Sequence, residues 1–400
     1  MKVFISFLQL YLLTLLLAFN ISTVKAEEQI FEPSDEISIS LLTCQPGKEV
    51  YSLYGHTALR FHNKTKGIDL AINYGIFSFQ QPFFTLRFIF GLTDYQMGIE
   101  PFQNFCMQYA YRERGIYEQI LRLTEKEKAT IAAAIMHNYQ PENRVYRYNY
   151  FDNNCTTKAR DMIADNLDAD INYNHTTSSQ TYTYRKLTHL YTENDRWTRF
   201  GNDLLLGLPA DYPITNRQQQ FIPEFLQNDF EKATLKNSEN HRLVTQSHWV
   251  IPPFDNTTNN PEAILPIHVL TLLSLLNLMF LFLEIKKKSR FQTYDFITML
   301  LTGIPGIVLF MMIFSQHPTV SLNLQILLFN PLSLIWAYTA IRPSKRKLFI
   351  RYTRVWTAFL CLFVIGAYFQ QYAEGILLLA LSLLIRQSYH IFKDRYPINE

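Results

Sequence analysis

The hydrophobic pattern divides the chain into two parts. Between residues 27 and 263, apolar residues occur in short stretches, whereas five long apolar runs follow. They are Ile264–Leu283, Phe296–Phe314, Leu322–Ile341, Val355–Phe369 and Ile376–Ile391. The fourth run is shorter than the roughly 17–25 residues that a spanning helix needs. We therefore predict an all-α bundle of about five transmembrane helices over residues 264–400. The fourth and fifth runs form either two spans or one re-entrant hairpin.

The loops between these runs predict the orientation of the bundle. Lys and Arg cluster after the first, third and fifth runs, whereas loops 315–322 and 370–374 contain neither. Positively charged loops remain in the cytoplasm. The pattern therefore places residues 27–263 outside the cytoplasm and the C-terminus inside. Arg386, near the inner end of the fifth run, is expected to extend its charged group to the interface.

The N-terminus has the pattern of an export signal. Lys2 precedes the apolar stretch Val3–Phe19, and small residues around Ala26 provide a cleavage site. The alternative is an uncleaved membrane anchor. We predict a signal peptide at 1–26, an exported domain at 27–255 and a linker at 256–263 that leads into the first span.

Short local patterns in the exported domain predict an α+β fold. Ile37–Cys44 alternates weakly and is expected to be either a first strand or a segment that leads into the domain. Strands are expected at Thr57–Phe61 and Ile68–Tyr74, which form a hairpin around a turn-rich stretch. Thr124 and Glu127 match a capping box, which predicts a helix through about Asn138. A second helix is expected over Cys155–Asn166 because its apolar residues have helical spacing.

Composition and charge narrow the class of protein. The formal charge is +3 and charged residues make up 18% of the chain, below the roughly 25% of soluble domains. Because the basic residues lie in the loops of the predicted bundle, the distribution argues against nucleic-acid binding. Four cysteines are too few for a disulfide framework. Cys44 and Cys106 could pair, Cys361 lies inside a predicted span, and Cys155 remains as the odd thiol.

Cys155 is the candidate nucleophile. It is expected in the first turn of a helix, directly after the capping residues Asp152, Asn153 and Asn154. The free amides and the positive dipole end at that position favour a thiolate. The same amides, with the side chain of Asn153 or Asn154, are candidates for an oxyanion hole. The alternative is that Cys155 is a small buried hydrophobic residue.

His56 is the candidate base for such a thiolate. It follows Gly55 at the beginning of the second predicted strand, where a glycine permits close approach of another group. His62, at the far end of that strand, is expected to be exposed. A third residue should orient the imidazole. Asn73 on the next strand is placed to do so, and Asp69 is the alternative.

These motifs resemble a known family. The segments YSLYGHTALRFHN, IDLAINYGIF and YNYFDNNCTTKARDMI are similar to those of permuted papain-like enzymes of the NlpC/P60 type, in which the histidine strand precedes the cysteine helix. Together with the membrane segment, the whole chain resembles the Lnb family, the lipoprotein N-acyltransferases of Bacteroidota. The resemblance implies that Cys155 is the nucleophile and His56 its base.

The resemblance also implies a location and a set of substrates. The protein is expected in the bacterial inner membrane with its catalytic domain in the periplasm. It would take an acyl chain from a phospholipid, hold it as a thioester, and transfer it to the amine of a diacylglyceryl-cysteine lipoprotein. No metal or diffusible cofactor is required. Two alternatives are a cell-wall cysteine peptidase of NlpC/P60 type and a non-catalytic protein that binds lipid or protein.

Polar residues in the predicted bundle are candidates for a lipid-binding face. His317 lies in a neutral outer loop, and Asn323 and Asn330 enter the third run. Polar groups at membrane depth usually face a bundle interior or a cavity. These residues therefore either contact a lipid headgroup or acyl chain, or form ordinary hydrogen bonds between helices.

Overall fold

The computed structural model describes residues 35–78, 80, 82–174, 181–236, 241–254 and 263–395. The predicted signal peptide at 1–26 and nearly all of the predicted linker at 256–263 lie outside these residues. Within them, a mixed α/β N-terminal domain precedes a helical C-terminal region.

The N-terminal domain is organised around one antiparallel sheet. Its seven strands have the spatial order β6-β4-β3-β2-β1-β5-β9. They are β1 (Ile37–Cys44), β2 (His56–Asn63), β3 (Ile68–Ile76), β4 (Asp94–Pro101), β5 (Ile116–Leu121), β6 (Val145–Arg147) and β9 (Val244–Ile251). The predicted first strand and the predicted β2–β3 hairpin are confirmed, with Ala58 opposite Asn73 in the register. The remaining β7 (Ile171–Asn172) and β8 (Thr234–Leu235) form a separate two-stranded ladder.

Helices cover both faces of this sheet because successive strand residues point to opposite faces. One face, with Leu41, Leu59 and Ile72, packs against α3 (Glu125–Tyr139), α4 (Cys155–Ala164) and α8 (Pro223–Lys232). The other face, with Leu42, Ala58 and Ala71, packs against α2 (Phe102–Tyr111). The capping box of α3 is confirmed: Thr124 accepts from the amide of Glu127.

Four further helices lie around the edge of the sheet and toward the bundle. They are α1 (Phe84–Ile89), α5 (Tyr184–Tyr191), α6 (Arg196–Leu205) and α7 (Asn216–Gln219). Of these, α1 and α6 contact the helical C-terminal region.

The C-terminal region contains four helices that are long and apolar enough to cross a membrane within the described part of the chain. They are α9 (Pro266–Lys287), α10 (Gln292–Met312), α12 (Arg346–Gly366) and α13 (Ile376–Arg395). The fourth and fifth predicted runs are therefore two long helices and not a short hairpin. The fourth is longer than predicted because the helix begins within the basic segment at Arg346.

The prediction of one continuous span over Leu322–Ile341 was wrong. This stretch forms a 3₁₀ turn at Leu324–Leu327 and then the short helix α11 (Leu332–Ala340). At 1.5 Å per residue, a helix of that length covers about 14 Å of a hydrocarbon core about 30 Å thick. Pro331 and the side chain of Asn330, which accepts from the amide of Leu332, end the turn and begin the helix.

The expectation that Arg386 extends to the interface was also wrong. Its side chain is fully buried between α9, α10 and α13. It donates two hydrogen bonds to Glu284, at 2.9 and 2.7 Å, and one to Asp295 at 2.8 Å. Two carboxylates inside the bundle therefore hold the guanidinium, because a charge buried in an apolar environment needs a partner.

The N-terminal domain rests on one end of the bundle. The side chains of Asn323 and Gln325 donate to the carbonyls of Leu204 and Asp203, each at 2.7 Å, at the end of α6. The amide of Gly207 donates to the carbonyl of Thr319 at 2.8 Å. This is the end of the bundle that carries both loops without Lys or Arg, as the predicted orientation requires.

Candidate active site

Cys155 occupies the first position of α4, and the sequence before it explains why the helix begins there. Asn154 is the N-cap, and its side-chain oxygen accepts from the amides of Thr156 and Thr157 at 2.9 and 3.0 Å. The Thr157 hydroxyl accepts in return from the Asn154 amide at 2.9 Å. This reciprocal cap fixes the helix end beneath the sulfur, where the positive end of the helix dipole favours a thiolate.

His56 begins β2 and faces Cys155. Gly55 precedes it with φ +83°, a conformation that favours glycine, and a Cβ at this position would lie 2.7 Å from the carbonyl oxygen of Cys44. Gly75, at the end of β3, has a φ of +88° and lies against the cysteine: a Cβ there would be in van der Waals contact, 3.5 Å from the Cβ of Cys155. Of the two glycines, Gly55 therefore lies against β1 and Gly75 lies against the cysteine.

Asn73 contacts the imidazole from the neighbouring strand. Its Oδ1 lies 2.6 Å from His56 Nε2, which leaves Nδ1 as the ring nitrogen available to the thiol, and the charges of the imidazole and the sulfur interact. Asp69, the alternative orienting residue, lies elsewhere and pairs with Arg60 through two hydrogen bonds of 2.8 and 2.7 Å. Cys155, His56 and Asn73 therefore lie together, with the imidazole hydrogen-bonded to Asn73 and electrostatically coupled to the sulfur.

The electrostatics of this cluster favour a nucleophile. Burial raises the pKa of Cys155, but the charge and hydrogen bond of His56 and the backbone amide of Thr57 outweigh it and lower the pKa to about 7. Burial lowers the pKa of His56, yet Cys155 and Asn73 together raise it above its ordinary value. By contrast, burial raises the pKa of Cys44 to about 12 and that of Cys106 to about 11, and both are free thiols.

The two asparagines before Cys155 have other contacts. The side-chain amide of Asn154 donates to the carbonyls of Tyr150 and Phe221, at 3.0 and 2.8 Å. Asn154 is therefore the cap of α4, and its side-chain amide already has two acceptors within the protein. Asn153 donates to the carbonyl of Arg147 at 2.7 Å. Among the described residues, no acceptor faces the amide of Cys155 itself. That amide is the donor in the first turn of α4 that is available to a substrate oxygen.

The three polar residues predicted for a lipid-binding face do not form one cluster. Asn323 is buried, and besides Leu204 it contacts Gln370, whose amide donates to its Oδ1 at 3.0 Å. Asn330 is buried, and its Oδ1 accepts from the amide of Leu332 at the start of α11 at 2.9 Å. His317 is also buried, and its ring lies 5.8 Å from that of Phe88. Of the three, His317 lies beside an exposed apolar segment.

The sequence-based reasoning missed several residues that shape this site. Thr57 and Thr156 share a hydrogen bond of 3.2 Å between β2 and α4, and the Thr156 hydroxyl lies 3.8 Å from the sulfur. Aromatic rings of Tyr95, Tyr146 and Tyr148 lie near the same end of α4, and burial, followed by smaller effects that include the charge of Cys155, raises the pKa of each. The aromatic run at residues 146–151 was the available signal for Tyr146 and Tyr148.

The fold and the site define a class: a membrane protein whose mixed α/β domain carries a Cys–His–Asn cluster at one end of a helical bundle. The described residues contain no group of three His, Cys, Asp or Glu side chains placed to hold a metal ion. The family models agree with this class. The Lnb N-terminal periplasmic domain matches residues 29–189, and the Lnb transmembrane domain matches residues 258–396.

The chain therefore belongs to the Lnb family, which confirms the resemblance in its sequence. Family membership indicates a role in the processing of lipoproteins. Searches of curated proteins and of solved structures found no match to this chain.

Proposed function

We propose that this chain is a lipoprotein N-acyltransferase. It moves an acyl chain from a phospholipid, through a thioester on Cys155, to the N-terminal amine of a diacylglyceryl-cysteine lipoprotein. The observation that carries the proposal is the cluster of Cys155, His56 and Asn73 at the start of α4. Membership of the Lnb family supports lipoproteins as the acceptors.

The first half-reaction is the transfer of the acyl chain to the enzyme. The Cys155 thiolate attacks the ester carbonyl carbon of a phospholipid, and the Cys155 amide donates to the developing oxyanion. The ester C–O bond breaks, and His56, which holds the proton of the thiol, gives it to the departing glycerol oxygen. The products are a thioester on Cys155 and a lysophospholipid.

The second half-reaction transfers the chain to an amine. A thioester is a reactive acyl donor, so the neutral amine of a diacylglyceryl-cysteine attacks its carbonyl carbon. His56 accepts a proton from the amine, the C–S bond breaks, and the thiolate is regenerated beside the imidazolium. Asn73 keeps Nδ1 of the ring directed at the sulfur throughout, because its Oδ1 accepts from Nε2.

We further propose that the N-terminal domain is a permuted papain-like fold. The order of the elements supports this: the histidine strand β2 and the asparagine strand β3 both precede the cysteine helix α4. In the proposed location, the domain faces the periplasm and the bundle lies in the bacterial inner membrane. Both the acyl donor and the acceptor are confined to a bilayer, so an enzyme resting on a membrane bundle meets both.

Mass spectrometry of the purified full chain tests the proposal. In phospholipid vesicles, Cys155 should gain the mass of an acyl chain, and a synthetic diacylglyceryl-cysteine peptide should then remove it and become N-acylated. Cys155→Ala should abolish both events, and Cys155→Ser nearly so. His56→Ala should slow the first event by about 10²–10⁴-fold.

His62→Ala is the matched control, because His62 lies on the same strand at the end remote from Cys155, and it should change little. Acylation of the lipopeptide by Cys155→Ala would end the proposed mechanism. A cell-wall peptidase or a binding protein would give no acyl mass on Cys155.

A further inference from the structure

An exposed apolar segment lies between the sheet and the bundle. Residues 82–90 read PFFTLRFIF, and the short helix α1 lies within them. Phe83 is 78% exposed, Leu86 43% and Phe88 36%. Arg87, the one charged residue of this stretch, is bound by Asp94 at 2.7 Å and by the carbonyl of Leu92. The segment therefore presents apolar side chains without a free charge.

This segment is continuous with the end of the membrane bundle. The amide of Gln316 donates to the carbonyl of Phe90 at 3.0 Å, and a Cβ on Gly91 would lie 3.2 Å from that of Gln316. The ring of Phe88 contacts that of His317. His317 lies three residues after the exposed Phe314, which lies just after the end of α10. The apolar residues of α1 therefore lie beside the end of a helix that is long and apolar enough to span a membrane.

A row of stacked rings connects this segment to the surroundings of Cys155. We call it the aromatic row. It consists of Phe88, Phe84, Phe77, Tyr95 and Tyr148, whose successive ring centroids are 6.4, 5.8, 4.7 and 4.0 Å apart. The planes of successive rings differ by no more than 22°. Phe77 follows two residues after Gly75, which lies against Cys155.

We propose that α1 inserts into the bilayer surface beside the bundle, and that the aromatic row is the apolar surface along which a phospholipid acyl chain reaches Cys155. Exposed apolar side chains grouped on one segment mark an interaction surface, and the continuity of this segment with a candidate membrane span identifies lipid as the occupant. The insertion stands on the geometry alone, whereas the route for the acyl chain rests on the proposed acyltransferase function.

The first test measures insertion and does not depend on activity. Phe83→Trp adds an indole to the exposed segment, and Tyr111→Trp adds one at the end of α2, on the opposite face of the sheet, where Tyr111 is 90% exposed. In vesicles with brominated acyl chains, after subtraction of the wild-type signal, the first indole should be strongly quenched and the second should not. Equal quenching of the two, or quenching of the first only at high protein-to-lipid ratio, would overturn the insertion.

The second test measures the acyl route. The double variant Phe83→Asp/Leu86→Asp should slow acylation of Cys155 by vesicle phospholipid at least tenfold more than acylation by water-soluble p-nitrophenyl butyrate. Tyr111→Asp should leave the ratio of the two acylation rates unchanged. Equal slowing of both reactions by the double variant, or slowing of neither, would overturn the route.

A third comparison separates this inference from the proposed function. Phe77→Ser should reduce the preference of Cys155 for p-nitrophenyl laurate over p-nitrophenyl butyrate by about tenfold, and an unchanged preference would refute the role of the aromatic row. If the wild-type protein forms no acyl-Cys155 from any of these esters, the proposed function fails. The quenching result then still decides whether α1 inserts.

Discussion

The Oδ1 atom of Asn73 lies 2.6 Å from the Nε2 atom of His56, across the β2–β3 hairpin. The two residues are not directly opposite, since Ala58 is the partner of Asn73 in the register. The contact is diagonal and points toward the end of the strands, where Gly75 lies against Cys155. The hairpin therefore fixes the ring before any substrate binds.

This contact predicts a moderate effect of Asn73→Ala. The variant should slow acylation of Cys155 about tenfold, because the ring loses its orientation but keeps its ability to transfer a proton. Asp69→Asn is the control, because Asp69 contacts Arg60 and not the imidazole. Single-turnover acylation by p-nitrophenyl butyrate measures both. A larger loss with Asp69→Asn than with Asn73→Ala would reverse the assignment of the orienting residue.

The lowered pKa of Cys155 predicts how its reactivity depends on pH. With a pKa of about 7, half of the sulfur is thiolate near neutral pH, and alkylation by iodoacetamide should fall as the pH drops through 7. For an ordinary thiol, with a pKa of about 8.5, the rate of alkylation would already fall as the pH drops through about 8.5. Cys44 and Cys106 should remain unlabelled at pH 7 because burial raises the pKa of both.

His56→Ala should raise the midpoint for Cys155, which is the pH at which its alkylation reaches half of the maximal rate. Without the imidazolium, burial becomes the dominant influence on the sulfur and raises its pKa. Peptide mapping of the alkylated protein from pH 5 to 10 gives the midpoint for each thiol. A midpoint that is the same in both proteins would mean that His56 does not stabilise the thiolate.

Gly55 should tolerate no side chain. Gly55→Ala would place a Cβ 2.7 Å from the carbonyl of Cys44 in a left-handed backbone conformation, so the backbone must shift and carry His56 with it. Gly67→Ala is the matched control: Gly67 also has a positive φ, of 65°, but nothing lies within 4 Å of the added atom. Acylation should fall at least tenfold with the first variant and less than twofold with the second. Equal losses would show that backbone strain alone matters.

Local patterns predicted the parts of the site that short stretches of sequence determine. The capping residues before Cys155 and the turn between β2 and β3 depend on neighbours within a few residues, so both could be predicted. The predicted pairing of Asn73 with His56 required only the assumption of an antiparallel hairpin. Its role in catalysis stays a prediction.

Contacts between distant parts of the chain could not be predicted in this way. Asn154 donates to the carbonyl of Phe221, and Asn323 to that of Leu204, across 67 and 119 residues. A polar residue near a helix start or a membrane span has many possible partners. The sequence patterns could therefore identify both asparagines as functional candidates but not the groups that they contact. Which partner such a residue contacts depends on tertiary packing, and for both residues a backbone carbonyl accepts from the amide.

Arg386 provides a test of how the bundle is stabilised. Its guanidinium is buried between Glu284 and Asp295, and removing it leaves two carboxylates without their shared cation. Breaking a buried ion pair by removing one partner costs about 3–5 kcal/mol. We expect about 3 kcal/mol for Arg386→Met, because His390 still contacts Glu284 and Arg290 still contacts Asp295.

Unfolding of the full chain in detergent micelles measures this change in the free energy of unfolding. Arg351→Met is the control, since Arg351 is an exposed residue of α12, and it should change the value by less than about 0.5 kcal/mol. Adding Glu284→Gln and Asp295→Asn to Arg386→Met should recover part of the loss, because neutral amides cost less to bury than unpaired carboxylates. If Arg386→Met were no more destabilising than Arg351→Met, the three buried charges would not stabilise the bundle.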